Sequence, residues 1–108
     1  MTIHSVENQS QFKEVIASNK IVLVDCYAMW STASKFVGPH IEKQLKESTW
    51  KDEVYFAKVD VDEQAEISEE LGVSIVPTFF LFKDGQKVDS CPGANPIAIL
   101  DMVKKHNK

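Results

Sequence analysis

The residues with the most chemical potential lie in one stretch, Asp25-Cys26-Tyr27-Ala28-Met29-Trp30-Ser31-Thr32-Ala33-Ser34-Lys35. Two hydroxyls, Ser31 and Ser34, stand three positions apart. An acid precedes them and a tryptophan abuts the first. A serine becomes a nucleophile when a histidine, oriented by an acid, takes its proton and an oxyanion hole receives the charge. The histidines are His4, His40 and His106. His40 follows Ser34 by about one and two thirds helical turns, so it points away from the loop. No Gly-x-Ser-x-Gly elbow exists. Serine hydrolysis is a poor fit, and no Cys or His cluster has metal-ligand spacing.

The elements that must position this stretch are legible as periodicity. A chain of 108 residues is one domain by length, 1–108, and buries roughly two thirds of its unfolded surface. The net charge of -4, with no basic stripe, argues against nucleic acid. The longest apolar run, Ile21–Val24, is too short to span a bilayer. No cationic, hydrophobic leader follows Met1. Two cysteines, Cys26 and Cys91, do not make a secreted disulfide framework. A cytoplasmic, monomeric protein is expected.

Thr2–Val6 predicts a short strand. Asn8 with Gln11 forms a capping-box pattern, and Phe12, Val15 and Ile16 mark one helix face. Ile21-Val22-Leu23-Val24 predicts a central strand buried on both faces. Phe36, Val37, Ile41 and Leu45 recur at helical spacing, and Pro39 should kink that helix. Val54–Val61 predicts a second parallel strand. Ala65, Ile67 and Leu71 predict a short helix stopped by Gly72. Thr78-Phe79-Phe80-Leu81-Phe82 is an aromatic strand. Asp84-Gly85 turns it back into Lys87–Cys91, and Pro92 marks a strand end at the sheet edge. Asn95-Pro96 caps a last helix carried by Ile97, Leu100 and Val103. The order β-α-β-α-β-α-β-β-α predicts an α/β fold, a parallel half leading into a hairpin half, with helices on both faces of one sheet.

From about Phe12 to Val103 the chain resembles the thioredoxin family, in fungal-type form. In that family a tryptophan precedes Cys-Gly-Pro-Cys-Lys; here the segment reads Trp30-Ser31-Thr32-Ala33-Ser34-Lys35. Asp25, Val59-Asp60-Val61-Asp62-Glu63, Ile75-Val76-Pro77-Thr78, the Phe82–Val88 hairpin and Gly93-Ala94-Asn95-Pro96 also resemble family features. The resemblance implies a thioredoxin fold, with a central mixed five-stranded sheet and four flanking helices.

It also implies thiol–disulfide exchange. The family's first cysteine sits at a helix N-terminus, where the dipole and backbone N–H groups favour thiolate. The thiolate attacks a disulfide and the second cysteine resolves the mixed disulfide. Ser31 and Ser34 stand at those two places. A hydroxyl forms no S–S bond, so dithiol turnover should be nil. Asp25 is either a wetted strand-end acid or, as the resemblance favours, the buried base behind the cysteines. Lys58 is either its electrostatic partner or a solvated strand charge. Trp30, Thr32, Ala33, Ile75, Val76, Pro77 and Gly93 would form a groove for proteins or peptides, with a cis bond before Pro77 exposing the Val76 backbone. Partial burial in the core is the alternative for Trp30. No cofactor is implied; thioredoxin reductase is the implied redox partner. Cys26 and Cys91 would lie two strands apart, roughly 10 Å, beyond a disulfide's reach of about 7 Å. Cys91 could still be a modifiable or dimer-forming thiol.

Two functions follow. One is a disulfide-reductase framework whose cysteines were replaced. The other is a naturally sulfur-free binding module. Thr32-Ala33 in place of Gly-Pro, with Met29 and Phe36-Val37-Gly38 also divergent, favours natural divergence.

Overall fold

The computed structural model describes residues 2–107; Met1 and Lys108, within the expected domain, lie outside them. The elements are β1 (Thr2–Ser5), α1 (Gln9–Ser18), β2 (Ile21–Tyr27), α2 (Thr32–Glu47), β3 (Val54–Asp60), α3 (Ala65–Leu71), β4 (Thr78–Lys83), β5 (Gln86–Pro92) and α4 (Pro96–His106). A single 3-10 turn, Lys51–Glu53, precedes β3. The sheet order is β1-β3-β2-β4-β5. β1, β3 and β2 run parallel, whereas β4 and β5 are antiparallel to their neighbours.

β2 is central because both its faces are apolar. Ile21 and Leu23 join Val37, Ile41 and Leu45 of α2 and Ile99, Met102 and Val103 of α4 in one core layer. Val22, Val24 and Cys26 join Phe12 and Val15 of α1 and Ile67 of α3 in the other. Period-two alternation thus sends odd-numbered β2 residues toward α2 and even-numbered ones toward α1 and α3. Asp25 is odd, so it faces α2.

Local signals explain the boundaries. Asn8 Oδ1 accepts from Gln11 N–H at 2.8 Å, while Gln11 Oε1 takes the Glu7 N–H, one residue earlier than a strict capping box places it. Gly72 ends α3 with φ 74°, a left-handed cap that glycine enters freely. Asp84 (φ 52°) and Gly85 (φ 81°) make the β4–β5 turn. β5 carries a bulge opposite Leu81/Phe82.

Three local expectations are corrected. Phe36 is 60% exposed, because the buried stripe of α2 follows Ser34, Val37, Gly38, Ile41 and Leu45; Phe36 stacks on His40 instead, with ring centroids 6.0 Å apart. Ile97 is exposed, and the inner face of α4 is Ile99, Met102 and Val103, an i, i+3, i+4 set. β1 ends at Ser5, although the Val6 N–H still donates to Lys58 O at 2.9 Å. α2 runs through Pro39, which has no N–H to donate to the Lys35 carbonyl. Among the described residues no helix is long and apolar enough to cross a membrane.

The inner face of α2 yields a contrast. Leu45→Ala should lower stability by about 2–5 kcal/mol through lost burial and a residual cavity. Phe36→Ala should stay within about 0.5 kcal/mol. Urea denaturation midpoints measure both, and similar losses for the two would mean α2 presents a different face.

Candidate functional site

The site begins where β2 leaves the sheet. The Tyr27 carbonyl accepts the Val61 N–H at 2.9 Å, tying the ends of β2 and β3. Ala28 is buried, whereas Met29 and Trp30 are exposed. The Ser31 N–H then donates to Ala28 O at 3.1 Å and closes a turn. Ser31 is the N-cap of α2: its Oγ accepts the Ser34 N–H at 3.1 Å, and its carbonyl accepts the Lys35 N–H. This is the standard use of a serine at a helix start. Ser34 Oγ reaches back to accept the Ala28 N–H at 3.3 Å. Both serines are buried; Thr32 and Ala33 between them are exposed.

Asp25 lies behind this turn, 1% exposed. Neither carboxyl oxygen has a hydrogen-bond partner among the described residues. A cavity of about 190 Å³ opens beside it, lined by Asp25, Tyr27, Ala28, Ser34, Gly38 and Lys58, among others. Burial pushes the Asp25 pKa up to about 7, and the positive charge of Lys58 opposes this. Lys58 is the register partner of Asp25 on β3, and its ammonium sits 5.1 Å from the centre of the Tyr27 ring. The Cys26 thiol is also driven up, first by burial and then by Asp25.

Three other segments reach the same end of the sheet. Pairing of Cys26 with Thr78, and of Thr78 with Pro92, sets the starts of β4 and the end of β5 beside the end of β2. The Val76–Pro77 bond is cis. Thr78 Oγ1 donates to Ile75 O at 2.6 Å, and the Gly93 N–H donates to Pro77 O at 2.8 Å. Gly93 holds φ 91°, which a side chain would disfavour. No partner for the Val76 amide or carbonyl occurs among the described residues. From the third segment, Asp62 Oδ2 accepts the Trp30 indole N–H at 3.0 Å. Asp60 Oδ1 in turn accepts the N–H groups of Asp62 and Glu63. Trp30 is therefore a surface group on a polar tether, 70% exposed, and not a core residue.

The histidines lie elsewhere. His40 stacks on Phe36, His4 packs by Tyr55, and His106 Nε2 meets Asp89 Oδ2 at 2.9 Å. Cys26 and Cys91 pack into opposite core layers. Their separation is thus one of sheet faces as well as strands. No group of three His, Cys, Asp or Glu with the geometry to hold a metal occurs among the described residues.

Residues 3–105 match the sequence profile of the family described as Thioredoxin. The chain belongs to the thioredoxin family. It is 38% identical to the thioredoxin of Malassezia sympodialis over 105 residues, covering 97% of this chain and 99% of that protein. It is 42% identical to thioredoxin-1 of Saccharomyces cerevisiae over 90 residues, 83% of this chain and 84% of that one. The crystal structure of the Malassezia sympodialis thioredoxin superposes with a TM-score of 0.91, covering 100% of this chain and 96% of the other. The thioredoxin fold expected from sequence is thereby established.

Two contacts at this site were not assigned from sequence. Asp62 tethers Trp30, and nothing in its spacing reveals a bond across 32 positions. Gly38 lies against Asp25: a Cβ there would stand 3.1 Å from Asp25 Oδ2. Its signal was a glycine inside a helical pattern, which often marks close packing.

Asp25 makes stability depend on pH. An unfolded aspartate ionises near 3.8 and the folded one near 7. Between those values the folded state holds the extra proton, so stability is fullest below the lower value and falls as pH rises through the higher. The span corresponds to at most about 4 kcal/mol. Asp25→Asn should therefore raise stability at pH 8 relative to the parent far more than at pH 4. Denaturation at the two pH values checks this; an equal effect at both would contradict a buried, titrating Asp25.

Proposed function

We propose that this chain is a redox-silent thioredoxin-family protein that holds extended protein or peptide segments beside Pro77 without exchanging electrons. The observation that carries the reading is the commitment of both hydroxyl oxygens: Ser31 Oγ caps α2 and Ser34 Oγ accepts the Ala28 N–H. Ser31 stands at the position of the nucleophilic cysteine and Ser34 at that of the resolving one. Neither has a histidine hydrogen-bonded to it among the described residues, so neither oxygen is activated. The remaining thiols, Cys26 and Cys91, face opposite core layers and do not form a substitute pair.

On this reading Asp25 keeps the position of a general base with no thiol to serve, and Lys58 is its electrostatic partner. Trp30, Thr32 and Ala33 form one wall of the binding cleft. Ile75, Val76, Pro77 and Gly93 form the other. Exposed Trp30, Met29 and Ile75 supply apolar contact at one end of the sheet. The unpaired Val76 amide and carbonyl suit strand-like pairing with an extended guest. None of these features needs sulfur. A cytosolic, monomeric protein belongs to the same reading.

The likeness to fungal thioredoxins supports a second expectation. Insulin disulfide reduction by the parent chain should not exceed free-thiol background. The double variant Ser31→Cys/Ser34→Cys should gain insulin reduction with electrons drawn from a thioredoxin reductase. Turnover by the parent chain sinks the reading. A folded double variant without activity would mean that the site has lost more than its sulfur and serves binding alone.

A further inference from the structure

We propose that the cavity between β2 and the first turns of α2 is a binding site for one carboxylate group, supplied by a small free carboxylate or by an acidic side chain of a partner. The donor and acceptor inventory of the cavity favours this guest. Asp25 is buried and neither of its oxygens is partnered. The cavity is lined in addition by Lys35, Lys58 and Ser34. Ser34 Oγ already accepts the Ala28 N–H, so its own O–H remains to be given away. With Asp25 protonated, two lysines are among the residues lining the cavity and Ser34 and Asp25 offer it two hydroxyl donors. A cationic guest would meet two lysines for one acid. The oxygens of a carboxylate meet the Ser34 and Asp25 hydroxyls, the latter in a short, charge-assisted O–H···O bond, and its carbons meet the apolar lining of Ala28, Met29 and Pro39.

Size and access fit as well. The volume of about 190 Å³ equals the liquid-volume share of about six waters, enough for a carboxylate and its first carbons. Gly38 keeps the space beside the carboxyl clear, because a Cβ there would stand 3.1 Å from Asp25 Oδ2.

Occupancy should be linked to protons. An anion beside Asp25 favours its neutral form, so binding at alkaline pH takes up one proton. The charged and titratable groups around Asp25 are Lys58 from β3, Lys35 from α2, and Cys26 and Tyr27 on β2. Cys26 and Tyr27 are pushed upward by burial and by nearby acids, which leaves Asp25, near 7, as the acid that titrates at neutral pH.

The test is an acetate titration followed by the amide NMR shifts of Ala28, Ser34 and Gly38, with chloride holding ionic strength constant. Acetate is ionised at both pH 6.0 and pH 8.5, roughly. Affinity should fall about 30-fold between them, as one proton on Asp25 requires. Gly38→Ala, which keeps every charge and favours helix, should abolish binding. Asp25→Asn, which donates but does not titrate, should bind equally at both values. A heptapeptide with a central glutamate that competes with acetate, when its glutamine counterpart does not, assigns the guest to a partner side chain. Competition by neither peptide assigns it to free carboxylates. Shifts that do not saturate at pH 6.0, equal affinity at both pH values in the parent chain, or undiminished binding by folded Gly38→Ala each overturn the proposal. The outcome is independent of the insulin assay, since it concerns a cavity that requires neither thiols nor the cleft at Pro77.

Discussion

The junction of β2 with α2 is held by a small set of hydrogen bonds, and the geometry of the site follows from them. Ala28 donates to Ser34 Oγ, Ser31 donates to Ala28 O, and Ser34 donates to Ser31 Oγ. These bonds fix where the helix begins relative to the last residue of the central strand. With the helix start fixed, Gly38 comes to lie against Asp25, Thr32 and Ala33 are exposed, and Met29 and Trp30 are carried out to solvent. A buried polar turn has to satisfy its own N–H and C=O groups, and here the two serine oxygens do much of that.

On the proposed reading, oxygen at Ser31 and Ser34 in place of the family's sulfur has two sides. A hydroxyl is the better helix cap and hydrogen-bond acceptor, while a thiolate is the redox nucleophile. On that reading the same two positions support the local structure while lacking the atom that the family's chemistry uses. Outside them, Trp30 and the Pro77 loop are held by tethers of their own. Trp30 is bonded to Asp62, which Asp60 supports in turn, and Gly93 is bonded to Pro77.

Asp25 stands apart from this economy of satisfied groups. Its oxygens are buried without a partner, and Lys58 lies alongside without bringing its pKa back to the ordinary carboxylate range. Such a group weakens the folded state at neutral pH. Proteins hold groups of this kind chiefly at sites of chemistry or binding. The unpartnered acid, the adjoining cavity and the helix glycine beside it form one arrangement.

Much of this was legible in the sequence wherever a signal is local. The Asn8 cap, the Gly72 stop, the Asp84-Gly85 turn, the Asn95-Pro96 start and the double-sided burial of Ile21–Val24 depend on nearest neighbours and periodicity, and all took the expected form. Helix rotation was less legible. Phe36 and Ile97 share spacing with core residues, yet they face solvent, because α2 and α4 turn their stripes toward the layer that the sheet offers. Sequence alone also determined that Ser31 and Ser34 are hydroxyls three positions apart ahead of a helix, since identity and spacing are written in the chain. Only the tertiary structure decided that Trp30 pairs with Asp62, that Gly38 shields Asp25, and that Cys26 and Cys91 lie on opposite faces. Those contacts join residues far apart in the chain, and their partners are chosen by strand order and packing, which no local pattern encodes.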